Sequence, residues 1–229
     1  MPKEYLEAPS EQDIKVAVDA VIFTVIDGAL QVLMIQMKKP PSYAGRWALP
    51  GGLLMNDETA EAAVRRILAA HCNVRDVHVE QLATFDDPQR DVRTRVVSLA
   101  YLALMPQPAE PPVTSAKYAA IRWWPVAKPP RLAYDHAHIL ATAVERLRGK
   151  LAWSNLAWSL LPREFTLTEL QRLYEVILGR VLDKRNFRKK ILTLGVLKET
   201  GRQRAEGAHR PAALYRFATR KPTAVNLLG

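Results

Sequence analysis

Residues Trp47–Val74 read WALPGGLLMNDETAEAAVRRILAAHCNV. A short apolar strand leads into Gly51-Gly52, read as a turn whose missing side chains let backbone approach a phosphate closely. Asn56-Asp57-Glu58 supplies helix-start chemistry with negative charge in the first turn. The spacing after it predicts a helix over about Glu58–His71 that ends near Asn73. Such a design suits a pyrophosphate ligand.

The stretch resembles a Nudix box, in which Gly, five residues, Glu, seven residues, Arg-Glu, an aliphatic, any residue, Glu-Glu, any residue, Gly and an aliphatic follow in order. Gly52, Glu58, Arg66, Leu68 and Val74 match. The chemistry does not, because Ile67 stands at the Arg-Glu glutamate, Ala70 and His71 at the Glu-Glu pair, and Asn73 at the glycine. Residues at i, i+3 and i+4 share a helical face, where three carboxylates would grip Mg²⁺. Ile67, Ala70 and His71 leave that face without a hard oxygen ligand, and imidazole suits zinc better than magnesium. Glu58 and Glu61 read as capping or solvated charge. The resemblance implies a Nudix fold that keeps its ligand pocket, with no catalytic residue, no metal and no cofactor expected.

Outward from this stretch, the 229 residues allow one large domain or one of about 150 residues with a smaller attachment. Residues 1–150 carry 18 basic against 17 acidic side chains and residues 151–229 carry 15 against 6, so nearly all of the net +10 lies in the last third. That asymmetry points to nucleic acid, a membrane surface or simply a solvated basic face. A single cysteine, Cys72, excludes an intramolecular disulfide and fits a reducing compartment. The N-terminus lacks the apolar segment of a signal peptide, no run approaches membrane-spanning length, and a cytoplasmic protein is expected.

Residues 1–13 read as a flexible tail. Ile14–Ile26 is β-branched and ends at the hairpin signal Asp27-Gly28, with Leu30–Met37 as its partner. Further strands are expected at Val77–Phe85, Val96–Leu104 (VVSLAYLAL, buried on both faces) and Ile121–Trp124, followed by an amphipathic helix Tyr134–Lys150. The expected class is α+β, a Nudix-type α/β/α sandwich over 14–150. In 151–229, Thr166 or Thr168 caps a helix ending at Gly179, a basic helix spans Asp183–Leu194, and Val196–Thr200 and Ala212–Phe217 frame a basic tip, Gly201–Pro211. Helix, short turn, basic helix and hairpin tip is a winged helix-turn-helix signature.

The order of QLATF, DDPQRDVR, VVSLAYLAL, LAYDH, EFTLTELQRLYEVILG, DKRNFRKKIL and RPAALYRF resembles the Nudix-related transcriptional regulators of the NrtR family, over roughly residues 15–218. Arg90, Arg93 and Arg95 offer bidentate forks to a pyrophosphate, or pair with Asp86, Asp87 and Asp91. Lys38 and Lys39 stand before WALPGG as ligand contacts or solvated charge. Asp135-His136 resembles the family's Asp-His motif, or Asp135 caps a helix. The expected ligand set is Lys38, Lys39, Trp47, Gly51, Gly52, Glu58, Arg66, Arg90, Arg93, Arg95, Asp135 and His136. The expected DNA set is Thr166, Thr168, Lys184, Arg185, Asn186, Arg188 and Lys189, with Arg202, Arg204 and Arg210 on the wing. By resemblance the protein is a homodimeric repressor of NAD metabolism genes that binds double-stranded operator DNA and senses ADP-ribose or a related nucleotide. Two alternatives stand beside it: an active Nudix hydrolase with an appended nucleic-acid-binding domain, and an RNA-binding or scaffold protein.

Overall fold

The computed structural model describes residues 13–38, 43–75, 77–113, 115–205 and 211–226. Lys39, Arg210 and all of the expected tail except Asp13 lie outside them. In chain order the first unit comprises β1 (Lys15–Ile26), β2 (Ala29–Met37), β3 (Trp47–Ala48), β4 (Gly51–Leu53), α1 (Ala60–Cys72), β5 (His78–Phe85), β6 (Val96–Leu104), β7 (Tyr118–Pro125) and α2 (His136–Trp153). Asp27 and Gly28 both take positive φ, 50° and 72°, and turn β1 onto β2 with Ile26 opposite Ala29. The sheet runs β3-β2-β1-β6-β5, with β4 on β1 and β7 on β2. β6 lies parallel to β1 and antiparallel to β5, which explains its continuous apolar run.

Alternation along β1 divides the core. Val21 and Phe23 face the layer that holds Ile139, Ala143 and Leu147 of α2. Ala20 and Ile22 face Val64, Ile67 and Leu68 of α1. The sheet is therefore sandwiched between the two helices.

Three local expectations are corrected. Helix α1 starts two residues later than expected, because Thr59 takes the cap position and its hydroxyl accepts from the Ala62 N–H at 3.2 Å. Asn73, with φ 53°, closes that helix where a glycine is common. Gly51-Gly52 is not a turn: both glycines belong to β4 and pair with Asp19 and Val18 of β1. Helix α2 begins at His136 rather than Tyr134, whose φ is 52°, and Asp135 makes no side-chain cap bond. It runs past residue 150 to Trp153.

The second unit comprises a 3₁₀ turn at Leu156–Ser159, β8 (Phe165–Thr166), α3 (Leu167–Leu178), α4 (Lys184–Thr193), β9 (Leu197–Arg204) and β10 (Ala212–Phe217). Thr166 and Glu169 form a reciprocal capping box on α3, and Gly179 closes it at φ 68°. Asp183 caps α4, its Oδ1 accepting from the Asn186 N–H at 2.7 Å. The small sheet runs β8-β10-β9. Strand β9 extends four residues beyond the expected Thr200, so Arg202 and Arg204 lie in the strand rather than at a loop tip. Leu170, Tyr174, Ile177, Phe187, Ile191 and Phe217 join the α2-side core of the first unit without a break.

Candidate functional site

Between the first half of β1, β4, the 90–93 loop and the start of α2 lies a cavity of about 300 Å³. Its walls include Asp19, Gly51, Gly52, Arg90, Asp91, Arg93, Lys117, Tyr118, Tyr134 and His136. A Cβ on Gly51 would stand 2.2 Å from Asp19 Oδ1 and 2.8 Å from the Val18 carbonyl, so glycine here makes room for a buried carboxylate. Gly52 faces Ile67 Cδ1, 3.2 Å from where its Cβ would be.

A buried polar network forms the cavity floor. Ser98 Oγ donates to Asp19 Oδ2 at 2.6 Å, and Arg90 Nη2 donates to the same oxygen at 3.2 Å. The same Nη2 donates to Asp135 Oδ1 at 2.8 Å, and Nε donates to Asp135 Oδ2 at 3.0 Å, so Arg90 bridges the two aspartates. The Leu49 N–H donates to His136 Nδ1 at 2.9 Å, which puts the neutral ring's proton on Nε2, 3.4 Å from Asp19 Oδ1. Burial alone would raise the Asp19 carboxyl, but His136, the Ser98 hydroxyl and Arg90 together hold it at about 2.

Above the floor, Arg93 grips Asp91 in a fork, Nε to Oδ1 at 2.9 Å and Nη2 to Oδ2 at 2.7 Å, and donates to Tyr134 Oη at 3.0 Å. The Tyr134 ring meets Tyr43 at 4.2 Å and His136 at 5.0 Å. A tyrosine held at positive φ stores backbone strain of the kind that gathers at ligand sites.

The expected ligand residues fall into two groups. Gly51, Gly52, Arg90, Arg93 and His136 line the cavity. Arg90 Nε and Nη2 are committed to aspartates, however, and its side chain is 4% exposed, so it braces the floor rather than offering a fork. Arg95 points elsewhere, donating to the Asp86 carbonyl at 2.7 Å. Glu58 and Arg66 pair with each other at 2.8 and 2.5 Å outside the cavity wall, and Glu58 Oε1 also accepts from the Met55 N–H. Lys38 donates to the Ala116 carbonyl at 3.4 Å, and Trp47 packs edge-on against Trp124 at 5.2 Å. Asp135 stands behind the wall as the partner of Arg90.

Asp19, Lys117, Tyr118 and Tyr134 are wall residues absent from the expected set. Asp19 had a signal, a lone carboxylate inside the apolar run KVAVDAVIF. Tyr134 stood inside the quoted LAYDH stretch without being singled out, and Lys117 and Tyr118 had no signal at their own positions.

The box helix shows what became of the metal face. Ile67 is fully buried in the core under Gly52, and His71 Nδ1 lies 3.1 Å from Ser115 Oγ with its ring on Tyr118. Glu61 pairs with Arg65 at 2.9 Å and Glu58 with Arg66. No group of three or more His, Cys, Asp or Glu able to hold a metal ion occurs among the described residues. These donors do not fit Mg²⁺, which demands near-octahedral oxygen ligation. Cys72 is buried, its thiol pushed up to about 12, and is inert.

The second candidate site is α4. Arg185, Asn186 and Lys189 are exposed on the face opposite buried Phe187 and Ile191, and Lys184 is exposed at the first position of the helix. Arg188 is half-buried and donates to Thr168 Oγ1 at 2.9 Å, tying α4 to the first turn of α3, while Thr166 is consumed in the capping box. Arg202 pairs with Glu164 and Arg204 with Glu169, so both fold back toward the start of α3 instead of projecting. Pairs at this level of exposure are worth about 0–1 kcal/mol and exchange readily for a phosphate. No described helix is long and apolar enough to cross a membrane.

Comparison with known proteins agrees with this arrangement. The NUDIX domain model matches residues 15–144, and the NrtR DNA-binding winged helix domain model matches residues 157–217. The Acinetobacter baylyi protein named ADPR responsive transcriptional repressor NtrR is 38% identical over 204 residues, spanning 88% of this chain and 81% of that one. The crystal structure of Shewanella oneidensis NrtR complexed with a 27mer DNA superimposes with a TM-score of 0.77 at 37% identity, covering 88% of this chain and 93% of that one. The NUDIX domain of the same protein complexed with ADP ribose gives a TM-score of 0.55 at 36% identity, covering 64% of this chain and 99% of that one. With both units matched in order and along nearly their whole length, the chain belongs to the NrtR family, a Nudix domain joined to an NrtR winged helix.

Proposed function

We propose that this protein is an ADP-ribose-responsive transcriptional repressor of NAD metabolism genes, acting in the cytoplasm as a homodimer on double-stranded operator DNA. The observation that carries the reading is the exposed basic face of α4, set by the Asp183 cap and the buried Phe187 and Ile191 on a unit that shares one core with the cavity-bearing Nudix fold. Lys184, Arg185 and Lys189 meet phosphates and base edges, with Asn186 beside them. Two reading helices of a dimer engage half-sites about 34 Å apart. The Nudix unit serves as sensor and not as hydrolase, since Ile67, Ala70 and His71 offer a metal no oxygen.

ADP-ribose in the cavity changes operator affinity through α2, whose first turn carries His136 of the cavity floor and whose Arg148 Nε donates to the Ile177 carbonyl of α3 at 2.9 Å. The test is an operator titration with and without saturating ADP-ribose. A shift of roughly 1–3 kcal/mol is expected, about five- to a hundredfold in affinity. Superimposed isotherms, with ADP-ribose bound, refute the reading.

A further inference from the structure

The cavity's cations are not equivalent. Arg90 is offset by Asp19 and Asp135, and Arg93 by Asp91. Just outside, Arg66 is offset by Glu58. Lys117 lines the same cavity, and its Nζ makes no hydrogen bond or ion pair with any described residue. It lies 5.1 Å from the centroid of the Tyr118 ring, a cation–π contact that holds the ammonium without neutralising it. Tyr118 is itself fixed, its hydroxyl donating to the Gly51 carbonyl at 3.3 Å and its ring meeting His71 at 5.5 Å. The uncompensated charge thereby lines the cavity that Gly51 and Gly52 also line.

A diphosphate ester carries two negative charges and needs a cation wherever it leaves water. The box helix cannot hold one here, since Glu58 and Glu61 are engaged by arginines, His71 by Ser115, and Ile67 and Ala70 have no donor. We infer that Lys117 replaces the divalent metal in this cavity, binding the diphosphate of the ligand directly so that recognition is independent of Mg²⁺. The local electrostatics agree. His71 and Lys117 are both pushed below their ordinary values, by burial first and then by neighbouring positive charge, Lys117 and Arg66 acting on His71 and Arg66 on Lys117. An anion beside Lys117 favours the charged ammonium that partial burial and Arg66 disfavour.

This inference rests on the proposed function, and the experiment separates the two. ADP-ribose is titrated calorimetrically into the full chain, Lys117→Met and Lys117→Arg, each in EDTA and in excess Mg²⁺. The expected result is binding by the unaltered chain that changes less than twofold between the buffers. Lys117→Met should lose roughly tenfold to a hundredfold, the size of one charge-assisted hydrogen bond, while Lys117→Arg stays within a few-fold. An unchanged thermal midpoint for the apo Lys117→Met chain verifies its fold. No ADP-ribose binding by the unaltered chain refutes the proposed function and this inference together. Binding that survives Lys117→Met unchanged, or that strengthens tenfold with Mg²⁺, refutes this inference alone.

Discussion

Replacing Arg90 with alanine should be the most damaging single change in the Nudix unit that leaves its apolar core untouched. The guanidinium is 4% exposed and lies between Asp19, 8% exposed, and Asp135, 18% exposed. Its removal leaves two carboxylates facing a void, and breaking a buried pair in this way costs about 3–5 kcal/mol. For a chain of this length each kcal/mol moves the thermal midpoint by about 2–4 °C, so a fall of about 6–20 °C is expected. The pH dependence carries a second signature. Asp19 is held at about 2 against an ordinary 3.8, so its ionisation contributes roughly 2 kcal/mol of stability. That contribution is fully present above pH 3.8 and is lost as pH falls toward 2. In Arg90→Ala the Asp19 carboxyl rises, and the loss begins at higher pH. Urea unfolding across pH 2–7, followed by tryptophan fluorescence, measures both effects. A variant within 1 kcal/mol of the unaltered chain at pH 7, with the same pH profile, refutes the account of Arg90 as the brace of the floor.

Other outcomes follow from the same geometry. Incubation with ADP-ribose and Mg²⁺ or Mn²⁺ should release no AMP at an enzymatic rate, and turnover on the order of 1 s⁻¹ would promote the hydrolase reading. Arg185→Glu with Lys189→Glu should abolish operator binding at an unchanged melting temperature, because both side chains are exposed; unchanged affinity removes α4 as the reading helix. Thr166→Ala should cost about 1 kcal/mol of stability by opening the capping box on α3, and a change below a few tenths contradicts the role given to that cap.

What the sequence made legible was local chemistry. The cap at Thr166, one of the two threonines offered, the stop at Gly179, the Asp27-Gly28 hairpin and the strand Val96–Leu104 all stand close to where their residues indicated. Each depends on neighbours within a few positions. The arginines of the 90–95 loop show the limit. Three similar side chains within six residues reach three different ends: Arg90 binds carboxylates 71 and 45 positions away, Arg93 turns to Asp91, and Arg95 takes a carbonyl. Pairing with Asp91 was one of the two readings offered and Arg93 takes it, but nothing at positions 90–95 indicates the distant partners of Arg90. Gly51-Gly52 misled for the same reason, since a glycine pair reads as a turn unless β1 is known to lie beside it with Asp19 in the way. Helix α1 opens at Thr59, the last of several capping residues in the run NDET, and the cap pattern alone does not choose among them. The wing arginines followed the strand because β9 continued its pairing with β10 past the glycine at 201.

The junction of the two units limits how a sensor of this build can signal. A flexible linker would let a reading head swing without cost and would transmit nothing. Here α2 continues through residue 150 to Trp153, and the residues after it are pinned. Ser154 Oγ donates to the Lys150 carbonyl at 2.6 Å, Asn155 Nδ2 to the Lys221 carbonyl at 3.1 Å, and the Val225 N–H to the Trp153 carbonyl at 2.8 Å. One apolar cluster passes from Phe23 and Leu147 to Tyr174 and Phe187, so opening a hinge between the units would expose side chains that each stabilise the fold by about 1.5–3 kcal/mol when buried. A ligand that distinguishes two states by a few kcal/mol cannot meet that cost. Under the proposed function, a change at Asp135 and His136 must therefore carry α2 and the reading unit along as one body. In the homodimer that this function proposes, the contacts left to yield would be those between subunits, where two-fold operator spacing would register the movement.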